Sequence, residues 1–204
     1  MKLSRLAEAI HTSDEVRSLW NEEMNYLRNA LLDFTKMVGE EVPWALAGGL
    51  AASLRGKPRG TNDIDVLVAN DYDAGKIIRL APETFHAEPN FLIHKTYHIR
   101  IDLLSPRILA IPEATVRKIL DTATLESFWG VRVPVITREA LIAMKLFSLR
   151  DLDTTDIKRA IRAAAAKGEE IDLAGFGLSS EHLQKYEELI RQAEEEMKDP
   201  RNSG

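Results

Sequence analysis

The sequence predicts an α/β fold: a small mixed sheet of four or five strands, flanked by helices and followed by a helical C-terminal extension. Three observations predict it. Short β-branched runs such as Ile64 to Ala69 are bounded by polar turn residues. Longer stretches place apolar residues at steps of three and four, the signature of one helix face. The last third, from Thr137 onward, carries that helical spacing almost throughout. The chain of 204 residues is read as an N-terminal helical segment over 1–40, a core over 41–136 and a C-terminal helical region over 137–204 packed on the core.

The elements follow in order. From Asp14 to Val38, the residues Val16, Leu19, Trp20, Met24, Leu27, Leu31, Phe34 and Val38 form one helical stripe. Ser13 or Asp14 can cap its start, and Gly39 lies past its end. Trp44 to Ala47 reads as a short strand. Gly48-Gly49 breaks it, and Leu50 to Leu54 begins a helix. Arg55 to Asn62 is a loop with Gly56, Pro58 and Gly60. Ile64 to Ala69 is a buried strand, and Tyr72 to Leu80 a short helix capped by Asp71. Phe91 to Ile93 and Tyr97 to Leu104 are two further strands. In the second, His98, Arg100 and Asp102 share a face by period two. Arg107 to Leu120 is mixed, and Val131 to Ile136 is another strand. Thr137 can cap a helix through Leu149, Thr154 or Thr155 a second from Asp156 to Ala166, and Ser180 a third. The stripe Leu183, Tyr186, Ile190, Ala193 and Met197 on that third helix reads as core.

Composition excludes several classes. There is no cysteine, hence no thiolate zinc site, thiol nucleophile or redox switch. Cysteine-free composition fits a reducing cytoplasm, which is the expected location. No apolar run reaches the roughly 18 residues of a membrane span, and residues 1–10 lack the apolar core of a signal peptide. A net charge of −5 does not mark a general nucleic-acid binder.

The most informative stretch runs from Ala47 to Val68. Asp63 and Asp65 stand two apart at a strand start, so both carboxylates point to one face. Like charges side by side repel, and a divalent cation between them removes the repulsion. Oxygen-only ligation suits Mg²⁺ or Mn²⁺ rather than zinc. Asp102, among Ile101, Leu103 and Leu104, is the candidate third carboxylate. Three carboxylates on adjacent strands can hold two ions about 3.5–4 Å apart, the arrangement of in-line phosphoryl transfer. Gly48-Gly49, between strand and helix, lets backbone approach a phosphate. Arg55, Lys57 and Arg59 add cations nearby. Each feature also has a plain structural reading: a turn and cap for the aspartates, a tight turn for the glycines, a solvated loop for the cations. Five histidines, His11, His86, His94, His98 and His182, show no helical metal spacing.

Together, Ala47-Gly48-Gly49, a spacer of thirteen residues and Asp63-Ile64-Asp65-Val66 resemble the signature of the DNA polymerase beta-like nucleotidyltransferase superfamily. The resemblance implies that Asp63 and Asp65 bind metal, and that Asp102 activates an acceptor hydroxyl as ligand or base. It assigns Gly48, Gly49, Arg59 and Thr61 to the nucleotide. A second block, Ile136 to Ile161, is similar to small bacterial nucleotidyltransferases, many of them toxins of abortive-infection type toxin–antitoxin pairs. By that similarity Lys145 contacts the nucleotide phosphates, with Arg150, Asp153 and Asp156 as supporting residues. Where the superfamily often has serine, this chain has Gly49, so only backbone N–H groups meet the phosphate there. The activity implied is Mg²⁺- or Mn²⁺-dependent transfer of a nucleoside monophosphate from an NTP to a hydroxyl of tRNA, protein or a small molecule, with an antitoxin as a conceivable partner. The alternatives are a non-catalytic nucleotide- or partner-binding module on the same fold, and a structural domain whose aspartates only cap and pair.

Overall fold

The structure is a computed structural model that describes residues 14–56 and 60–198. Helix α1 (Asp14–Val38) leads into β1 (Trp44–Leu46), α2 (Gly48–Arg55), β2 (Asp63–Val68) and α3 (Asp71–Leu80). Three strands follow: β3 (Phe85–Glu88), β4 (Phe91–His94) and β5 (Ile99–Leu104). Then come α4 (Pro106–Leu109), α5 (Glu113–Asp121), β6 (Thr124–Phe128) and β7 (Val131–Val135). Helices α6 (Arg138–Ser148), α7 (Asp151–Ala165) and α8 (Ser180–Lys198) complete the order.

The sheet is mixed and has seven strands in the order β3-β4-β5-β2-β1-β7-β6. This exceeds the four or five expected. The additional strands, β3 and β6, are outer members of antiparallel hairpins with β4 and β7. The central strand β2 runs parallel to β5 and antiparallel to β1, and β1 runs parallel to β7. Its residues Ile64, Val66, Leu67 and Val68 are wholly buried. Helix α1 covers the sheet with Leu27, Leu31, Phe34 and Val38, and Phe34 meets Trp44 edge-on at 5.2 Å. The stripe positions Val16, Leu19 and Trp20 are outside the side chains described, and Ser13 lies outside the described residues.

The C-terminal helices bury a second apolar cluster, formed by Ile142, Leu146, Ile157, Ile161 and Leu189 among others. Helix α6 joins the two clusters, because Leu141, Ala143 and Met144 face the main core while Ile142 and Leu146 face the second. Thr137 caps α6 by accepting a bond from the Ala140 N–H at 3.1 Å. Among the described residues no helix is long and apolar enough to cross a membrane.

Several local expectations are corrected. Asn70, not Asp71, caps α3, its side chain accepting from the Asp73 N–H at 2.9 Å. Helix α7 starts at Asp151 with Arg150 at its cap position, because Asp153 reaches back to the Arg150 N–H. Thr154 and Thr155 therefore lie inside the helix and bond the Asp151 carbonyl. Ser179 rather than Ser180 caps α8 through the His182 N–H. On α8, Leu189 and Ala193 are buried, whereas Leu183 and Met197, at the ends of the expected stripe, are exposed.

Candidate active site

Strand register brings the three aspartates together. Across the parallel β2–β5 pair, Asp63 stands opposite Arg100 and Asp65 opposite Asp102. Side chains alternate, so these four share one face, while Ile64, Val66, Ile101 and Leu103 fill the core on the other. Above the acidic face lies a cavity of about 440 Å³. Gly48, Asp63, Asp65, Asp102, Lys145, Ser148, Arg150 and Asp153 line it, with apolar walls from Leu104, Ile108, Leu109, Ile111 and Met144.

Gly48 is required by this geometry. Its φ of +55° is left-handed, and a Cβ built there would lie 1.6 Å from the Asp65 Oδ2. The backbone thus passes directly against the carboxylate. The Gly49 N–H, at the start of α2, donates to the same oxygen at 3.3 Å. Gly39 is a natural control: its φ is +52°, yet nothing lies within 4 Å of its Cβ position. Gly39→Ala should cost about 1–2 kcal/mol for the left-handed backbone alone. Gly48→Ala should cost clearly more, because Asp65 must also move. Urea unfolding of both variants checks this, and equal losses would show that Asp65 yields freely.

Asp65 carries the strain of the acidic group. Burial and then the neighbouring Asp63 push its carboxyl up to about 6; Asp102 adds to the rise, and the Gly49 N–H and Lys145 oppose it. A carboxylate with a raised folded-state pKa binds its proton more tightly when folded. Its contribution is therefore complete below the ordinary value of 3.8 and is lost as pH rises through about 6. Asp65→Asn should be more stable than wild type at pH 7, by about 1–3 kcal/mol. The gap should close below about pH 4, near the ordinary aspartate value. Denaturant melts across that range test the sign, and a gap independent of pH would contradict it.

A second charged group sits beside the first. Lys145 is 5% exposed and Asp153 and Asp156 are 1% and 2% exposed. The Lys145 ammonium donates to Asp153 at 2.7 Å and lies 3.0 Å from Asp156. For Asp153, burial works to raise the carboxyl, but hydrogen bonds from Arg150, Lys145 and Ser148 hold it well below the usual carboxylate range. Arg150 Nε bonds Asp153 at 2.8 Å and Ser148 Oγ does so at 2.5 Å.

The other candidates divide. Thr61 Oγ1 donates to Asp63 at 2.6 Å and so supports a carboxylate; it faces a different cavity, shared with Tyr26 and His98. Arg59 and Lys57 lie outside the described residues. Arg55 is the last residue of α2 and is tied to the Ile136 carbonyl at 2.8 Å and to Glu126 at 2.5 Å, a role in joining α2 to the β6–β7 hairpin. Ser53 bonds back to the Gly49 carbonyl. His98 is not on the Asp102 face: β5 begins at Ile99, and His98 sits in the preceding turn with φ of 55°. His94 is buried, stacked on Tyr97 and bonded to Asp33. Arg100 escaped notice as a functional residue, although period two already set it beside Asp102. It donates to Asp102 through Nε at 2.8 Å and Nη2 at 2.7 Å, and its guanidinium lies 3.8 Å over the Phe91 ring.

Whether these residues suit a divalent cation follows from their chemistry. The donors are oxygens only, and burial, then the neighbouring Asp63 charge, hold the Asp65 carboxyl high. Among the described residues no three acidic or histidine side chains converge as one ion-holding group. Each aspartate has a partner of its own: Asp102 accepts from Arg100, Asp63 from Thr61 and Asp65 from the Gly49 N–H. Oxygen donors of this kind are the class that hard divalent cations take, and in this structure Asp102 is engaged by Arg100.

No protein-family model matches the chain, and no curated protein does. Solved structures do. An antigenic nucleotidyltransferase-like protein from Paracoccidioides brasiliensis superposes with a TM-score of 0.55 at 15% identity, over 79% of this chain and 85% of that one. ANT(2'')-Ia, in complex with adenylyl-2''-tobramycin, matches with a TM-score of 0.47 at 14% identity, over 83% of this chain and 97% of that one. The first likeness establishes a nucleotidyltransferase-like fold.

Proposed function

We propose that this chain transfers a nucleoside monophosphate from an NTP to an acceptor hydroxyl, releasing pyrophosphate. One observation carries the reading: Asp63, Asp65 and Asp102 face one cavity from paired parallel strands, against the glycine-started helix α2. Asp63 and Asp65 would hold Mg²⁺ or Mn²⁺ with Asp102. A bound divalent cation would supply charge neutralisation at the reacting phosphate and the departing pyrophosphate. Asp102 takes the acceptor hydroxyl's proton as the acceptor oxygen bonds the α-phosphorus and the bond from that phosphorus to the α–β bridging oxygen breaks, releasing pyrophosphate. The apolar walls, Ile108, Leu109, Ile111 and Met144, limit water around the reacting groups. Catalysis in this reading is mostly positioning and electrostatics. It belongs in the cytoplasm, where NTPs are plentiful.

The second reading, nucleotide binding without transfer, is favoured by the engagement of Asp102 with Arg100. Incubation with each α-labelled NTP, Mg²⁺ and either bulk tRNA or cell lysate separates the two. Transfer labels an acceptor, and the labelled species is tRNA, protein or a small molecule. Label on tRNA or protein would accord with a toxin role and an antitoxin partner. NTP binding with no labelled acceptor in any arm would overturn the first reading in favour of the second.

A further inference from the structure

We propose that Arg150 grips the polyphosphate of the nucleotide, while the Lys145 charge is committed to the fold. The inference rests on the function proposed above and names the cation it needs.

Lys145 lines the cavity, but its ammonium is shared between two almost wholly buried carboxylates. Drawing it toward a phosphate would loosen its hold on both at once, and weakening a buried ion pair is costly. Arg150 is placed differently. It occupies the cap position of α7, its side chain is 78% exposed, and it lines the same cavity as the three aspartates. Asp65 lies near enough to act on it electrostatically.

Asp153 keeps other partners when Arg150's guanidinium turns away. It keeps Lys145 on one oxygen, and Ser148 with the Arg150 backbone N–H on the other. The guanidinium can therefore leave Asp153 for a stronger anion without orphaning a buried group. Its planar fork suits two phosphate oxygens at once, which a lysine ammonium does not reproduce. Among the described residues, Arg100 is a second exposed guanidinium near the aspartates, but it is held by Asp102, stacked over Phe91 and not part of the cavity lining.

Titration calorimetry on the full chain tests the assignment, with Mg²⁺–NTP, inorganic tripolyphosphate and the unphosphorylated nucleoside as probes. Arg150→Ala should weaken NTP and tripolyphosphate binding by roughly tenfold to a hundredfold, the scale of a charge-assisted hydrogen bond. Nucleoside binding should not change. Arg150→Lys should recover part of the loss. NTP affinity equal to wild type in Arg150→Ala would overturn the inference, as would an equal loss for the nucleoside, which would mark Arg150 as a structural cap. Absence of NTP and tripolyphosphate binding by the wild type itself would instead overturn the proposed function, and this inference with it.

Discussion

Lys145→Met should lower the unfolding free energy by about 3–5 kcal/mol at pH 7, the cost of stranding buried charge. The substitution keeps length and apolar volume but removes the one ammonium between Asp153 and Asp156. Both carboxylates are almost wholly buried and can neither reach water nor separate, because they stand three residues apart on one face of α7. Arg150 still reaches Asp153, and Arg159 stands 3.8 Å from Asp156, so the stranding is eased but not abolished. Adding Asp153→Asn and Asp156→Asn to Lys145→Met should recover much of it. Urea unfolding of the single and triple variants at pH 7 checks each step, and a loss under about 1 kcal/mol for the single variant would show that the three charges are not coupled.

The acidic face was legible because it rests on local rules. Period two places Asp63 and Asp65 together, and a glycine pair between strand and helix marks a close backbone approach. Placing Asp102 beside them took only the parallel pairing of two apolar strands. The edge strands were not legible. Phe85–Glu88 and Thr124–Phe128 are short and carry His86, Glu88 and Glu126, since an outer strand half in water needs no apolar alternation. Tyr97 and His98 continued the alternation of β5 in sequence, yet the β4–β5 turn takes them, with the His98 N–H bonded to the His94 carbonyl.

The Lys145 group was half legible. A lysine among Leu141, Ile142, Met144 and Leu146 had to be either at an edge or in a cleft. It lies buried at the wall of the cleft, where the next helix brings two aspartates to it across an interhelix contact that no local spacing encodes. The helix start was misplaced for the same reason. Asp153 reaches back to the Arg150 N–H while also holding Lys145, which draws the first turn of α7 forward to Asp151. Arg55 shows a similar limit, since its partners Glu126 and Ile136 are more than seventy residues away.

The claim that the acidic cavity performs chemistry, rather than only holding a nucleotide, is tested most directly at Asp102. It is half-buried, stands opposite Asp65 and accepts from the Arg100 guanidinium. As the group that receives the acceptor's proton, it contributes on the scale of general-base catalysis, about 10²–10⁴-fold. Asparagine keeps its shape and its ability to accept from Arg100 but cannot take the proton. Single-turnover transfer from a labelled NTP should be measured beside NTP titration on the same Asp102→Asn protein. The account predicts NTP affinity within roughly tenfold of wild type and turnover lower by at least about 10²-fold. Turnover equal to wild type with affinity intact would contradict it.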